Sequence, residues 1–238
     1  MAFYKYPLKT ITIPAGVESI SSNSFDTCTA LTAINVDADN QYYSSIDGTL
    51  YDKNLTKLIL HPAAKTGQLD IPVTVTEIGE NACSECKGLT SVNLPVSVKT
   101  LADYSFYECT GLKSITLPNF VTTIGKYAFA KCIFSNIYAY PVTPPAVGKN
   151  AFRDTYGATL HVPQSSVDNY RSAEYWSNFA NIVGDASGIE DVVADSDVNA
   201  TVEVYNLSGV KIGNTTEALA PGIYIVRQGT VTKKIAVQ

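Results

Sequence analysis

A repeat of 23 residues constrains the fold of this chain more than any other feature. Residues 89–109 read LTSVNLPVSVKTLADYSFYEC, and residues 112–132 repeat that pattern as LKSITLPNFVTTIGKYAFAKC. The same landmarks recur at 8–28 and, with the front shortened, at 69–86. Self-similarity at a period of about 20–50 residues is typical of stacked repeats. The sequence therefore predicts a solenoid rather than a compact globule.

Each copy also indicates which side chains face the interior. In the copy at 112–132, Leu112, Ile115 and Leu117 have the spacing of a short strand that buries one face. Pro118 lacks an N–H group and ends that strand. A second short apolar run and an A-F-x-x-C segment follow. Because one copy has little apolar surface of its own, stability must come from stacking equivalent side chains of several copies.

This pattern resembles the BspA-like class of leucine-rich repeats, which is known mostly from bacterial surface proteins. The shared motif, LxxIxLPxxVxxIGxxAFxxCxxL, is almost intact at 89–112 and 112–134, and the resemblance covers about residues 8–184. Cys83 departs from the motif, because it occupies the position of the phenylalanine. The resemblance implies a mainly β fold, namely a leucine-rich-repeat solenoid of short strands and short helical turns over residues 1–184.

Two segments interrupt the period. Asp47-Gly48 predicts a tight turn, so residues 37–62 are expected to form an enlarged coil with a projecting hairpin. Residues 166–179 are expected to form one short amphipathic helix whose apolar side chains cover the last repeat. Such a C-terminal cap would protect the open strand edge.

The last part of the chain has a different composition. Residues 185–198 are small and acidic without periodicity, which predicts a linker. Residues 199–238 alternate as in a small antiparallel, β-sandwich-like domain. The segments VYNLSGVKI, LAPGIYIVRQG and TKKIAV in it resemble the C-terminal sorting domain of the Bacteroidetes type IX secretion pathway. That resemblance implies a role in export or attachment.

Charge and hydrophobicity limit the kinds of partner. The net charge of −5 and a charged fraction of only 16% give no electrostatic footprint for nucleic acid. No segment approaches the roughly 20 apolar residues of a transmembrane helix. The N-terminus, MAFYKYPLKT, lacks a signal-peptide pattern, so the protein is either intracellular or has lost a leader and earlier repeats. Because a repeat opens at Leu8 without a cap, we expect the second alternative and an extracellular or outer-surface location.

The cysteines are explained by the repeat. Cys28, Cys86, Cys109 and Cys132 occupy one position of successive copies, which predicts a column of buried thiols. A labile disulfide or a zinc site involving the Cys83/Cys86 pair is the alternative.

No enzyme motif occurs in the chain. It lacks the sequence patterns of serine hydrolases, zinc proteases and nucleotide-binding proteins. Its two histidines, His61 and His161, are expected to be exposed strand residues. The sequence therefore predicts a protein that is not an enzyme, with no catalytic residue, no cofactor and no metal.

The outward positions of the predicted strands are small and polar, as expected of a face that receives a ligand by hydrogen bonding. These candidate ligand-binding residues are Thr10, Thr12, Ser91, Asn93, Ser114, Thr116, Asn136 and Tyr138. The alternative is a ladder of hydroxyl groups that only solvates the sheet.

The sequence is compatible with three functions. By resemblance, we expect a monomeric adhesion or interaction protein that binds a protein of the host or of a neighbouring cell surface. The second is a glycan-binding accessory protein that uses Tyr138, Trp176 and the hairpin tyrosines Tyr42, Tyr43 and Tyr51. The third is a structural spacer without a ligand.

Overall fold

The computed structural model describes residues 7–21, 23–25, 28–184, 202–205, 211–214, 222–228 and 231–237. The chain divides into two compact units, Met1–Ala186 and Ser187–Gln238. The first unit is a mainly β solenoid, as predicted. Each regular coil contributes a first strand, a second strand and a turn that leads back to the first strand of the next coil.

The first strands of the coils form parallel ladders, and we call their outward surface the A face. These strands are β1 (Thr10–Ile13), β2 (Ala33–Val36), β6 (Gly67–Asp70), β8 (Leu89–Asn93), β10 (Ser114–Leu117), β12 (Asn136–Ala139), β14 (Thr159–His161) and β15 (Asn181–Val183). They pair as β1-β2, β6-β8 and β10-β12-β14-β15. Ile115 pairs with Ile137 and Ile137 with Leu160, so that buried side chains of one coil lie on those of the next. β15 was not predicted from the sequence.

The second strands form another sheet, which includes the predicted hairpin. The hairpin strands are β3 (Tyr43–Ile46) and β4 (Thr49–Asp52), and the sheet continues through β5 (Lys57–Leu60), β7 (Glu77–Ile78), β9 (Thr100–Leu101), β11 (Thr123–Ile124) and β13 (Ala146–Val147). Asp47 and Gly48 both have positive φ, as a two-residue hairpin turn requires. The prediction that the hairpin projects was wrong. β4 pairs with β5, and Leu50 and Tyr51 are buried in the core.

The returning turns stack through side chains and backbone alike. Phe106, Phe129 and Phe152 form a column with ring centroids 5.6 Å apart at each step. The backbone N–H of Phe106 donates to Ala128 O at 2.8 Å, and that of Phe129 donates to Ala151 O at 2.8 Å. Residues 23 positions apart are therefore nearest neighbours in space, as the sequence period predicts.

The thiol column lies beside the phenylalanine column. All five cysteines are free and buried. Cys109 Sγ donates to Cys83 O at 3.0 Å, and Cys132 Sγ donates to Phe106 O at 3.1 Å. Thr155 takes the next position of this column and donates its hydroxyl to Phe129 O at 3.1 Å. The Cys109 and Cys132 thiols and the Thr155 hydroxyl thus each satisfy a carbonyl group of the preceding coil. Burial raises the pKa of Cys86 to about 12 and also raises that of Cys109.

The predicted C-terminal helix is shorter than expected. Helix α1 (Val167–Ser172) ends because Ala173 is extended, and Tyr175 then takes a positive φ of 64°. A 3₁₀ turn at Trp176–Asn178 follows and places the Trp176 ring in the core, 4.9 Å from the Phe152 ring. Trp176 Nε1 donates to Pro145 O at 2.9 Å. The apolar side chains of this segment cover the end of the phenylalanine column.

The second unit contains one antiparallel sheet in its described residues. Its strands are β16 (Val202–Tyr205), β17 (Lys211–Gly213), β18 (Gly222–Gln228) and β19 (Val231–Val237), in the order β17-β16-β18-β19. Val204 pairs with Val226, and both side chains are buried. The predicted linker at 185–198 lies outside the described residues. The sandwich-like arrangement stays a prediction.

Candidate ligand-binding face

The A face is built by the alternation of side chains along the first strands. In β10, Ser114 and Thr116 are exposed, whereas Ile115 and Leu117 are buried. The parallel register then aligns equivalent positions across coils, so that Ser114 pairs with Asn136 and Thr116 with Tyr138. All eight predicted residues lie at such outward, exposed or half-buried positions.

Hydrogen-bonded pairing divides these residues into three groups. Ser114, Thr116, Asn136 and Tyr138 belong to one ladder, and Ser91 and Asn93 belong to the β6-β8 pair. Thr10 and Thr12 lie in the β1-β2 pair. β8 and β10 lie in contact without a regular ladder between them.

The β6-β8 pair carries a compact polar cluster. Asp70 Oδ1 accepts a hydrogen bond from Asn93 Nδ2 at 2.5 Å and another from Gln68 Nε2 at 2.7 Å. Ser91 Oγ lies 3.5 Å from Gln68 Oε1. Asp70 is the acidic residue of this cluster, and its two amide partners fix the carboxylate against the sheet. The cluster can therefore accept further hydrogen bonds from a ligand in a fixed geometry.

The β12-β14 pair carries an aromatic cluster. The Tyr138 and His161 rings stack with their centroids 4.5 Å apart and an angle of 21° between their planes. His161 Nε2 lies 2.9 Å from Asn136 Oδ1. An amide oxygen only accepts, so Nε2 carries the proton in this contact. His161 is half-buried in a polar strand position rather than fully exposed. This cluster holds an aromatic ring rigidly at the surface.

Several residues of the A face were missed by the sequence analysis. They are Asn35, Gln68, Asp70, Thr159, His161 and Asn181, each aligned in register with another polar residue of the face. The signal was available, because Gln68 and Asp70 precede Ser91 and Asn93 by one period of 23 residues. The loosened motif around them hid the equivalence.

Three of the five aromatic residues proposed for a glycan platform are buried. Trp176 is 0% exposed and Tyr51 is 1% exposed, so neither can stack on a sugar. Tyr43 is also buried, and its hydroxyl accepts the backbone N–H of Ile20 at 2.8 Å. Tyr42 remains exposed. The prediction was wrong for the three buried rings because the hairpin is part of the second sheet and the C-terminal segment packs into the core.

Within the residues that the structure describes, no group of three or more His, Cys, Asp or Glu side chains could hold a metal ion. No helix in the same residues is long and apolar enough to cross a membrane.

Comparison with known sequences identifies the repeat. A model of the BspA type leucine rich repeat region matches residues 1–68 and 62–178, in six copies. The chain belongs to the BspA-type leucine-rich repeat family. No curated protein matches the chain.

Solved structures of leucine-rich repeat proteins resemble the BspA-type solenoid described above. One from Eubacterium ventriosum is 26% identical, with a TM-score of 0.60, over 74% of this chain and 48% of that chain. A leucine rich cell surface protein from Faecalibacterium prausnitzii is 28% identical, with a TM-score of 0.59, over 74% of this chain and 47% of that chain. The pneumococcal vaccine antigen PcpA shares the fold at 18% identity and a TM-score of 0.52, over 75% of this chain and 56% of that chain. The chain spans about half the length of the solved structures it matches.

Proposed function

We propose that this protein is a non-enzymatic adhesion protein of the cell exterior, and that its A face binds a protein of a host or neighbouring cell. The BspA-type family supports an interaction role, because stacked repeats offer extended surfaces for ligands. One similar solved structure is that of a leucine rich cell surface protein. We also propose an extracellular or outer-surface location for this chain, and the similarity to that cell surface protein supports it.

The Tyr138–His161 stack carries the proposal. A rigid aromatic ring that offers both contact area and a polar group is the type of residue that dominates protein interfaces. Thr116 precedes Tyr138 in the same row of the face. Asn136 and Thr159 form the neighbouring row and supply amide and hydroxyl groups around the ring. The central ring with a polar surround has the anatomy of an interface core and rim.

A pair of matched variants tests this proposal. Thr116→Arg places a long charged side chain in the centre of the A face, whereas Thr123→Arg makes the same change at an exposed position of β11 in the same coil. Binding to immobilised fibronectin, fibrinogen, laminin and collagen is measured for the wild type and both variants. We expect binding to at least one of them, loss of about tenfold or more with Thr116→Arg, and no change with Thr123→Arg. Binding to none of them, or equal loss in both variants, would contradict it.

The second unit is proposed to serve export or attachment, on the basis of its resemblance to the type IX sorting domain. Its antiparallel sheet is a self-contained small unit, which suits a module read by separate machinery. Deletion of residues 199–238 in a Bacteroidetes host that has this pathway is expected to retain the protein inside the cell. Protease accessibility of intact cells measures the outcome. Equal surface exposure with and without the module would refute this role.

We also expect a monomer in light-scattering measurements.

A further inference from the structure

The coil that contains the hairpin is shorter than its neighbours on the returning side. Register aligns Leu58 with Ile78, and Ile78 with Leu101. From Ile78 to Cys83 and from Leu101 to Phe106 there are five steps, but from Leu58 to His61 there are only three. The backbone N–H of His61 donates to Ala82 O at 2.6 Å, in the pattern that Phe106 and Phe129 follow in later coils. His61 therefore holds the phenylalanine position of a coil that lacks two turn residues.

The two missing residues leave a notch in the stack. A cavity of about 220 Å³ opens between the coil of Phe25 and the coil of Asn81, with His61 between them. Drug-sized ligands use pockets of about 300–1,000 Å³, so this notch suits one smaller unit. We call it the His61 notch.

His61 is the unusual residue of the notch. It is 2% exposed, and its Nδ1 lies 2.9 Å from Thr49 Oγ1. Its Nε2 is buried and has no hydrogen-bond partner in the part of the chain that the structure describes. A buried polar atom of this kind is rare in folded proteins and requires an explanation. The earlier prediction that His61 is an exposed strand residue was wrong.

The chemistry of His61 selects the kind of partner atom. Burial lowers the pKa of His61 to about 4, so the ring is neutral at physiological pH. In a neutral imidazole one nitrogen donates and the other accepts, and Thr49 can pair with Nδ1 in either form. A ligand hydroxyl can likewise pair with Nε2 in either form, whereas an ammonium or a carboxylate can pair in only one.

The remaining walls of the notch are amphipathic. Phe25, Leu31 and Leu60 supply apolar surface, while Asn81 and Glu85 supply an amide and a carboxylate. The lining among the described residues contains no Lys or Arg, and the Glu85 carboxylate disfavours an anionic ligand.

Two tyrosines of the next coil complete the opening. Tyr104 and Tyr107 line the notch, and their rings meet edge to face with centroids 5.6 Å apart. Tyr104 also stacks on Tyr127 at 5.1 Å, so an aromatic surface continues away from the notch along the coils. Aromatic faces beside amide and carboxylate groups suit a ligand with apolar C–H surface and a rim of hydroxyls.

We propose that the His61 notch binds one neutral hexopyranose unit of a glycan, with a sugar hydroxyl at His61 and the ring against Tyr104 and Tyr107. A hexose has the apolar face, the neutral hydroxyl rim and the small size that the notch accommodates. The site is separate from the A face and does not depend on the function proposed for that face. It also differs from the buried tyrosines and Trp176 considered earlier.

A plug variant with a matched control tests the site. Ser84 lines the notch, and Tyr107 holds the equivalent position of the repeat 23 residues later. Ser84→Tyr therefore introduces a side chain that the next coil already accommodates at this position of the repeat. Arg153→Tyr makes the same new side chain at an equivalent position outside the notch. Glu85→Gln is a second, nearly isosteric variant that removes only the charge. Circular dichroism verifies that each variant is folded.

The readout uses the two histidines of the chain, because His61 lies in the notch and His161 on the A face. Side-chain NMR signals of both are followed during titration with glucose, galactose, mannose and N-acetylglucosamine. We expect at least one sugar to shift the His61 signals, with a Kd on the order of millimolar, and to leave His161 unchanged. Ser84→Tyr should weaken binding about tenfold or more, Glu85→Gln should weaken it less, and Arg153→Tyr should not change it.

Three results would overturn the proposal. The first is that no sugar shifts the His61 signals of the wild type. The second is that Ser84→Tyr, when folded, binds the sugar as well as the wild type. The third is that tyrosine amide shifts the His61 signals and no sugar does, which would assign the notch to a peptide side chain. Thr116→Arg should leave the sugar titration unchanged, so the outcome here is independent of the outcome for the A face.

Discussion

Replacement of Phe129 by alanine tests the stacking of the coils most sharply. The ring is 0% exposed and lies between Phe106 and Phe152, with each centroid 5.6 Å away. It also meets the Phe134 ring edge to face at 5.8 Å. The substitution removes the middle of the column and three aromatic contacts at once.

The magnitude follows from this environment. A buried phenylalanine replaced by alanine costs about 3–5 kcal/mol, which includes the cavity that remains. Each aromatic pair contributes about 0.5–1.5 kcal/mol beyond the buried area, and three pairs are lost here. The backbone hydrogen bonds on both sides of Phe129 prevent the coils from collapsing into the space. We therefore expect a loss of about 5 kcal/mol in the free energy of unfolding, at the upper end of the range.

Urea unfolding followed by circular dichroism measures this loss. Phe120→Ala is the matched control, because Phe120 is 49% exposed, and its cost should be within about 0.5 kcal/mol. If Phe129→Ala leaves too little folded protein, Phe129→Leu provides a smaller perturbation that should still be destabilising. A cost below about 1 kcal/mol for Phe129→Ala, or a cost equal to that of Phe120→Ala, would refute the stacking of the rings.

Three further predictions concern buried polar groups. Burial lowers the pKa of His61 from 6.5 to about 4, so the unfolded chain binds a proton that the folded chain does not in this pH range. The contribution of His61 to the free energy of unfolding is thus present above pH 6.5, and up to about 3 kcal/mol of it is lost as the pH falls to 4. His61→Phe should remove this part of the pH dependence of stability. An unchanged difference in the free energy of unfolding between pH 4 and pH 6.5 in that variant would disprove it. Tyr170→Phe removes the hydrogen bond from the Tyr170 hydroxyl to Pro141 O at 2.8 Å and should lower the free energy of unfolding in urea by about 1–2 kcal/mol. Tyr42→Phe at the surface should leave it unchanged. Equal costs for the two variants would argue against this hydrogen bond. Burial raises the pKa values of Cys83, Cys86 and Cys109. Iodoacetamide at pH 8 should therefore label these thiols only as fast as the solenoid opens, which mass spectrometry measures over time. Rapid labelling of the native protein would contradict their burial.

The period of 23 residues was sufficient to predict the columns of the interior. Phe106 and Phe129 stack because the segment between them forms one complete coil of the solenoid. A chain with this repeat therefore places the two rings in neighbouring coils. The same reasoning placed Ser114 and Thr116 on the outward face. Local spacing and strand alternation therefore determine both the core and the candidate A face.

The departures from the period required information that local spacing does not contain. The hairpin joins the second sheet because β4 pairs with β5, and hairpin sequences alone do not specify which strand lies beside them. His61 was missed as a core residue because its coil is two residues short, so a fixed period misaligns it. The break at Ala173 and the positive φ of Tyr175 are stabilised by the packing of Trp176 in the core, where tertiary contacts override helical periodicity.

Ring-to-ring nuclear Overhauser effects between phenylalanines would test the coil stacking most directly. With phenylalanine labelled selectively, Phe129 should show contacts to both Phe106 and Phe152, because each pair of centroids is 5.6 Å apart. Phe106 and Phe152 should show none to each other, since the Phe129 ring lies between them. Absence of both Phe129 contacts, or a direct contact between Phe106 and Phe152, would show that residues 23 positions apart are not neighbours in successive coils.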